Sequence, residues 1–374
     1  MKVGLVPLLY DEYNYGGVLQ FYALQEILIQ NNIETEIIYF DNDEKICDSD
    51  FAVNNGILSR GKQALVRIWD SYNRTLIKRK LKDRWENIKC FKQKYYSPLI
   101  DSRNVKWSEY AAVICGSDQI WNPQSARKRS FLKYVPDDVN KVIYAASMGT
   151  DKLSINEKKV FKPAIERLQH ISVREYSAKE ILDEFIVEKN ISVVLDPTLL
   201  LSAGDWMKIT KPCLYNKYIF TYFLGEYADK IDYIKQFAKE KGLKIINVPF
   251  ASGEKIDRNR FGDYRVIEAD PCAFLGLIAG AEYIFTDSFH ACVFSVLFHK
   301  QFFVFRRDNS EKMYCRIETL IKHFSLPDRC VSVETPIWKS PKIDFDNVEF
   351  IQKEIREKSL DYLFGSINYD KAQS

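Results

Sequence analysis

The chain has 374 residues, of which 46% are hydrophobic, 14% aromatic and 28% charged. This length and this supply of apolar side chains exclude both a single small module and an unfolded chain, and they favour two domains of ordinary size. The formal net charge of +3 gives no sign of a nucleic-acid partner or an acidic tail.

The first half of the chain alternates between strand-like and helix-like patterns. We predict strands at 2–9, 34–40, 111–115, 141–146, 171–174 and 191–195. Helical spacing of apolar residues lies between them, at 18–28, 156–169 and 178–185. This alternation predicts a parallel sheet with helices on both faces.

The same alternation starts again after the proline-containing segment near residues 195–206. Strands are predicted at 218–224, 244–249, 283–286 and 301–305, and helices at 230–241, 272–279, 291–298, 313–324 and 348–364. We therefore predict two doubly wound, Rossmann-like α/β domains facing a cleft, at 1–195 and 196–347, and a C-terminal helix in 348–374 that packs back on the first domain. Ligands of such sheets bind beyond the carboxyl ends of the strands.

One segment concentrates positive charge. Residues 60–94 contain 12 Lys and Arg against three acidic residues, so this segment carries +9 and the rest of the chain −6. Aromatic residues lie within or beside it, namely Trp69, Tyr72, Trp85, Phe91, Tyr95 and Tyr96. Two interpretations stay open: a solvated helix face, or a surface for an anionic membrane or another phosphate-bearing partner.

Several function classes lack their motifs. No G-x-G-x-x-G follows a strand directly, and P-loop, H-E-x-x-H and C-x-x-C patterns are missing from the sequence, so NAD, P-loop and zinc chemistry are disfavoured. We expect no resident cofactor and identify no metal ligands, and the need for a metal stays open. The scattered cysteines, the short apolar stretch at the N-terminus and the lack of a membrane-spanning run predict a cytoplasmic protein.

His290 stands where the predicted strand 283–286 ends and the next helix begins, with Asp287 or Ser288 as the N-cap. A helix N-terminus offers free N–H groups and a positive dipole, which together bind an anion. A histidine there is a candidate general acid, and Ser288 is a candidate ligand for the anion. The alternative is a structural histidine bonded to a backbone carbonyl.

Three arginines follow predicted strands and are candidate anion clamps. Arg174 ends one strand of the first half and precedes a helix with a predicted capping box of Ser177 and Glu180. Arg306 and Arg307 come just after the strand 301–305. The alternatives are a surface pair of Arg174 with Glu175, and two solvated arginines in a loop.

Asp118 and Trp121 lie in another loop that follows a strand. Asp118 is a candidate base, and Trp121 offers a flat apolar surface suited to a sugar ring. A loop carboxylate is also a common turn cap, which is the alternative for Asp118.

Six segments in order give the chain a family resemblance: NYGGVLQFYALQ, ICGSDQIWNP, YAASMG, SVRE, LDPTLLL followed by Trp206, and TDSFHACVFS. They resemble the polysaccharide pyruvyl transferase family over roughly residues 1–310. The basic segment 60–94 is not part of the shared pattern.

This resemblance implies a fold like that of the GT-B glycosyltransferases. It also implies transfer of pyruvate from phosphoenolpyruvate, as a cyclic ketal, onto two hydroxyls of a sugar in a cell-surface glycan or its undecaprenyl-diphosphate-linked precursor. By resemblance His290 is the general acid and a donor ligand, and Arg174 binds the donor anion. We assign Asp118 to the acceptor side, and the turn formed by Asn14, Tyr15, Gly16 and Gly17 shapes the first domain's half of the cleft.

Two other functions stay open at this point. A nucleotide-sugar glycosyltransferase could use the same fold and the same strand-end residues. A non-catalytic glycan-binding protein could keep the fold without the chemistry. Association with the inner face of the cell membrane through 60–94 is a further expectation.

Overall fold

Two separate parallel sheets organise the chain in a computed structural model, which describes residues 1–8, 14–41, 43–46, 66–252, 255–257, 259–307, 311–332 and 340–368. We call the seven-stranded sheet with its helices the first unit and the five-stranded sheet with its helices the second unit. Part of the basic segment, residues 60–65, lies outside the described residues. No helix in the described ranges is long and apolar enough to cross a membrane.

The first unit contains strands β1 Lys2–Val6, β2 Glu34–Tyr39, β3 Leu99–Asp101, β4 Ala112–Asp118, β5 Lys141–Ala146, β6 His170–Val173 and β7 Ile191–Val193. They are ordered β3-β2-β1-β4-β5-β6-β7, and neighbouring strands are parallel. Its helices are α1 Tyr15–Gln30, α2 Val66–Tyr95, α3 Ile155–Glu166 and α4 Tyr176–Asp183. The buried runs of β4 and β5 are the pattern expected for strands covered on both faces.

The second unit is built in the same way from β8 Tyr218–Tyr222, β9 Lys244–Asn247, β12 Tyr264–Arg265, β13 Tyr283–Thr286 and β14 Gln301–Val304, in the order β12-β9-β8-β13-β14. A small antiparallel pair joins β10 Ala251–Ser252 to β11 Lys255–Ile256. Helices α5 Ala203–Ile209, α6 Ile231–Lys241, α7 Pro271–Ala279, α8 Phe289–Leu297, α9 Glu311–His323 and α10 Phe345–Ile367 complete the chain. The predicted fold class, with two doubly wound parallel sheets, is confirmed.

Some local predictions differ from the structure. The short strands β3 and β12 are additions, because three and two residues are too few to show a periodic pattern. The capping box predicted at Ser177 and Glu180 is wrong. Helix α4 begins at Tyr176, two residues before the predicted start at 178, with Glu175 at the N-cap and no side-chain capping bond. The Glu175 carboxylate instead accepts hydrogen bonds from Ser147 Oγ and Met148 N, both at 2.9 Å.

The two units are in direct contact. Tyr15 Oη donates to the Ala269 carbonyl at 2.6 Å, and the Tyr15 ring stacks on Phe274 with 4.3 Å between centroids. Helix α10 returns to the first unit, where Ser359 Oγ accepts from Leu195 N at 3.1 Å and the Ser366 carbonyl accepts from Asn140 at 2.7 Å. The domain boundaries given above stay a prediction.

Candidate active site

Polar residues from both units meet where the strands of the two sheets end. Asp118 is the last residue of β4, Arg174 follows β6, and Asp196 lies in the loop after β7. From the second unit, β13 is followed by Asp287 and by His290 in the first turn of α8. The carboxyl ends of parallel strands are the usual ligand site of such sheets, so this interface is the candidate active site.

His290 is packed tightly against the first unit. Its side chain is nearly buried, with 7% exposure for the residue. Helix α1 begins with Asn14 as its N-cap, whose side chain accepts from Gly16 N at 2.9 Å. A Cβ at position 16 would lie 2.1 Å from His290 Nδ1. Only glycine at position 16 therefore leaves room for the imidazole at this place.

Asp196 holds the other side of the imidazole. Its Oδ2 lies 3.5 Å from His290 Nε2, and its Oδ1 accepts from Thr198 N and Thr198 Oγ1 at 3.0 and 2.6 Å. Burial raises the pKa of the Asp196 carboxyl, but the positive charges of His290 and Arg174 outweigh it, so the pKa lies well below its usual range. Asp196 is therefore a fixed carboxylate that faces His290 Nε2.

Arg174 bridges two of the carboxylates. Its Nη1 donates to Asp196 Oδ2 at 2.5 Å and its Nη2 to Asp118 Oδ1 at 3.0 Å, while the guanidinium lies 4.4 Å from the Phe289 ring centroid. Burial lowers the pKa of Arg174, but these carboxylates outweigh it and the pKa is raised. The guanidinium is thus held in one orientation between the two units. Its role as a donor clamp stays a prediction.

Asp118 is the most accessible carboxylate of this cluster. Its side chain is 15% exposed, whereas that of Asp196 is fully buried. Burial raises the pKa of Asp118, but the charges of Arg174, His290 and Arg316 outweigh it and the pKa is lowered. Asp118 therefore stays ionised and can contact a substrate, although a lowered pKa makes it a weak base.

The arginines at 306 and 307 point to different places. Arg307 Nε donates to Asp287 Oδ2 at 2.9 Å, and its Nη2 to the Asp287 carbonyl at 3.0 Å. The other oxygen of that carboxylate accepts from Leu224 N. Arg306 is 59% exposed and packs over the Tyr314 ring at 4.5 Å. Arg307 therefore belongs to the strand-end cluster, whereas Arg306 faces solvent beside α9.

Two of the residues assigned to the acceptor side need correction. Trp121 is fully buried, its indole N–H donates to the Ser130 carbonyl at 2.9 Å, and its ring stacks on Phe131. Tyr15 is also fully buried, with its hydroxyl bonded across the unit interface. Neither ring offers a surface to a sugar, because core packing already covers it.

The other predicted residues lie at or near the cluster. Ser288 is the N-cap of α8 without a side-chain capping bond, and its N–H donates to Thr286 Oγ1 at 3.0 Å. Gly17 lines a cavity of about 370 Å³ beside the start of α1, and other parts of its wall are Pro7, Phe21, Lys92, Tyr96 and Leu99. The cavity lies on the first unit's side of the site.

Sequence reasoning missed three charged residues of the cluster. Asp196 lies in the segment LDPTLLL, but no feature of the sequence assigned it a role. Glu175 was considered only as a surface partner of Arg174. Arg316 comes from the middle of α9, is buried, and places Nη1 4.0 Å from Asp118 Oδ1. Burial and repulsion from Arg174 lower the pKa of Arg316 to about 10, so it stays positively charged near neutral pH. A residue inside an amphipathic helix carries no strand-end signal that could have identified it.

No group of three or more potential metal ligands occurs within the described ranges. Ion pairs at this interface join one histidine, three arginines and four carboxylates, drawn from both units: His290, Arg174, Arg307, Arg316, Asp118, Glu175, Asp196 and Asp287. Such a set can hold anions, deliver a proton and orient a hydroxyl.

Solved structures resemble this chain at low sequence identity. A UDP-GlcNAc 2-epimerase from Neisseria meningitidis bound to UDP-GlcNAc is 14% identical, with a TM-score of 0.45, covering 98% of this chain and all of that one. A UDP-GlcNAc 2-epimerase from Methanocaldococcus jannaschii is 13% identical, with a TM-score of 0.46, covering 96% and 100%. An alpha-glucosyltransferase in complex with UDP and DNA is 9% identical, with a TM-score of 0.46, covering 100% and 96%. Comparison with curated protein sequences gave no match.

Two Rossmann-like units with a histidine, arginines and carboxylates between their strand ends define a two-unit α/β protein with an interdomain site. The family model of the polysaccharide pyruvyl transferases matches residues 14–309, which span every residue of the cluster except Arg316. The chain belongs to the polysaccharide pyruvyl transferase family. Membership implies a transferase and a sugar or polysaccharide acceptor.

Proposed function

We propose that this protein transfers pyruvate from phosphoenolpyruvate onto two hydroxyls of one sugar, forming a cyclic ketal and releasing phosphate. The observation that carries the proposal is the position of His290, held between Gly16 and Asp196 at the start of α8. A general acid beside a helix N-terminus suits a substrate that is an anion and must be protonated on carbon.

The chemistry requires two C–O bonds to form and one to break. The methylene carbon of the enol takes a proton and becomes the methyl group, and the two sugar oxygens bond to the former enol carbon. The bond from that carbon to the phosphate oxygen breaks, and phosphate leaves. Of the two protons that the sugar hydroxyls lose, one is matched by the proton gained by the new methyl group. The other is taken up by the departing phosphate.

The residues can be given roles in this sequence. His290 delivers the proton, and Asp196 fixes its orientation. The N-terminus of α8 with Ser288, Arg174 and Arg307 binds the carboxylate and phosphate of the donor, and Arg316 adds positive charge from the side of α9. Asp118, the accessible carboxylate, orients an acceptor hydroxyl and takes up its proton transiently.

The acceptor is proposed to lie on the first unit's side, next to the start of α1. Asn14, Gly16 and Gly17 form this edge, and the cavity beside Gly17 leaves space for part of the acceptor. We propose a cell-surface glycan or its lipid-linked precursor as the acceptor. The exposed basic residues of α2 would then contact anionic membrane.

Purified protein incubated with phosphoenolpyruvate and a panel of glycans should release phosphate and add one pyruvate ketal to an acceptor, as seen by mass spectrometry. His290→Ala should abolish both signals, and His299→Ala, which alters a half-exposed histidine paired with Glu349, should retain them. Thermal shifts with phosphoenolpyruvate and with nucleotide sugars distinguish the pyruvyl transferase from the glycosyltransferase. Stabilisation by a nucleotide sugar alone would contradict the proposal.

A further inference from the structure

The basic helix α2 lies across both units, with one face buried. Its buried side chains are spaced three or four residues apart, at Leu81, Arg84, Ile88 and Phe91. Leu81 packs with Ala251 and Ile267 of the second unit. Near its C-terminal end the helix packs on the first unit through Phe91. The helix is therefore more than a solvated face.

Arg84 is the one charged member of this buried face. The residue is 1% exposed, and its Nη1 donates to the Pro249 carbonyl, just beyond β9 of the second unit, at 2.8 Å. Its guanidinium carbon lies 4.4 Å from the centroid of the Tyr15 ring of the first unit. Its Nε is buried and has no hydrogen-bond partner among the described residues. Leaving a buried charged donor unpaired costs free energy, so this nitrogen calls for an acceptor.

A second unpaired polar atom lies on another residue that contacts Tyr15. Tyr222 ends β8, and its ring is 6.0 Å from that of Tyr15 between centroids. Its hydroxyl is buried and has no partner within the described ranges. Burial raises the pKa of Tyr222, and Arg84 and Arg307 oppose that rise, which agrees with both guanidinium groups being near the ring.

Tyr222 connects Arg84 to the candidate active site. It is in register with Thr286 of β13, two residues before Ser288, and Thr286 Oγ1 donates to the Tyr222 carbonyl at 2.6 Å. Tyr15 is followed directly by Gly16, which contacts His290. Asp287, which directly follows Thr286, already accepts hydrogen bonds from Gly225 N and Arg307 Nε.

We infer that Arg84 and Tyr222 bind an anionic oxygen of a substrate, a phosphate or carboxylate, so that helix α2 supplies a substrate-contacting residue between the two units. Both buried donors belong to residues that contact the Tyr15 ring, at the strand ends where ligands of such sheets bind. A guanidinium and a phenolic hydroxyl together suit an oxyanion, because both donate and the first is charged. The identity of the substrates rests on the proposed function; the anion site does not.

The alternative is that Arg84 only stabilises the contact between the two units. Lys80 provides the matched control for this purely structural role. Lys80 lies one turn earlier on α2 and bonds across the same interface to Glu268 at 2.9 Å. Lys80→Gln therefore removes a cross-unit contact without removing Arg84. Isothermal titration with phosphoenolpyruvate, inorganic phosphate and N-acetylglucosamine 1-phosphate should be compared for wild type, Arg84→Gln, Arg84→Lys, Tyr222→Phe and Lys80→Gln, with thermal unfolding as the test of folding.

Arg84→Gln should weaken at least one probe by roughly tenfold or more, the value of a hydrogen bond to a charged group. Arg84→Lys, which keeps the charge and loses the planar fork, and Tyr222→Phe should each give a smaller loss, and Lys80→Gln should change the affinities less than twofold. If the variants bind phosphoenolpyruvate and phosphate more weakly but keep their affinity for the sugar phosphate, the site belongs to the donor. If only the affinity for the sugar phosphate falls, the site belongs to a phosphate-linked acceptor. If Arg84→Gln does not fold, Arg84→Lys and Tyr222→Phe decide.

Two results would overturn the inference. One is equal affinities for all folded variants, with Arg84→Gln differing only in unfolding temperature as Lys80→Gln does. The other is a wild type that binds none of the three probes. Failure of the proposed function alone is distinguishable, because phosphoenolpyruvate would then not bind while an Arg84-dependent affinity for phosphate or sugar phosphate would persist.

Discussion

Asp196 of the first unit and His290 of the second unit face each other across the interface, with 3.5 Å between Oδ2 and Nε2. The opposite ring nitrogen, Nδ1, lies against the backbone of Gly16. The imidazole is therefore held by the first unit on both sides, although its own helix belongs to the second. The orientation of the imidazole thus depends on the contact between the units.

Gly16→Ala tests this dependence. Alanine is favoured over glycine inside a helix, so the change by itself would stabilise α1. A Cβ 2.1 Å from His290 Nδ1 must however displace the imidazole. Because a displacement of about 1 Å at a reacting group costs about a hundredfold in rate, we expect kcat for the proposed ketal formation to fall by roughly that factor while the protein stays folded.

Gly365→Ala is the control for that experiment, since a Cβ there meets nothing within 4 Å in helix α10. It should leave kcat unchanged and raise the unfolding temperature slightly. A Gly16→Ala variant with wild-type kcat would contradict the placement of His290.

Asp196→Asn should destabilise the protein strongly. The carboxylate is buried and accepts from Arg174 and Thr198, and removing one partner of a buried ion pair costs about 3–5 kcal/mol. Its pKa is lowered on folding, so its contribution is fully present above the unfolded pKa of about 3.9 and is lost as the pH falls toward the folded pKa. Urea denaturation of wild type and variant should show the full difference near pH 7 and a shrinking one below about pH 4.

Asp183→Asn provides the comparison for a surface carboxylate. Asp183 pairs with Lys179 on the exposed face of α4. Its loss should cost about 0.5 kcal/mol or less. Equal costs for the two substitutions would show that Asp196 is not part of a buried network.

The neighbouring arginines 306 and 307 should behave differently. Arg307→Gln removes the ion pair with Asp287 and a cation next to the start of α8, so we expect the affinity for phosphoenolpyruvate to fall roughly tenfold or more. Arg306→Gln changes an exposed side chain, and its affinity should stay within about twofold of wild type. Titration calorimetry measures both. A larger effect of Arg306→Gln would reverse the assignment.

Residues that follow strands could be placed from the sequence. The bounds of β5 and β13 agree with the predicted strands 141–146 and 283–286. Parallel strands bring their carboxyl ends to one edge, and two such edges facing one cleft predict that Asp118, Arg174 and His290 share a site; the observed contacts join them through Asp196. Alternation of hydrophobic strands and helices is a strong signal, and the site follows from it geometrically.

Residues on helices and in the core could not be placed in this way. Arg84 and Arg316 sit on long helices among many exposed charged residues, and only the tertiary packing shows that these two are turned inward. The prediction of a sugar-binding surface at Trp121 is wrong because the residue is turned inward, although its position in the sequence suggested an exposed loop. A loop tryptophan beside a candidate base has the composition of a sugar platform, but whether its ring is covered depends on distant residues such as Phe131.

The last prediction concerns the exposed part of the basic helix α2. Lys80 and Arg84 form hydrogen bonds to the second unit, whereas Lys78, Arg79 and Lys82 are exposed. If α2 contacts anionic membrane, each of these three residues contributes about 1 kcal/mol near the surface, so replacing all three by Gln should weaken binding to phosphatidylglycerol vesicles roughly a hundredfold. Replacing the exposed Lys235, Lys239 and Lys241 of α6 removes the same charge elsewhere and should have little effect. Vesicle sedimentation at low and high salt measures both variants, and binding should weaken with salt. Equal losses for the two triple variants, or no binding by wild type, would rule out α2 as a membrane surface.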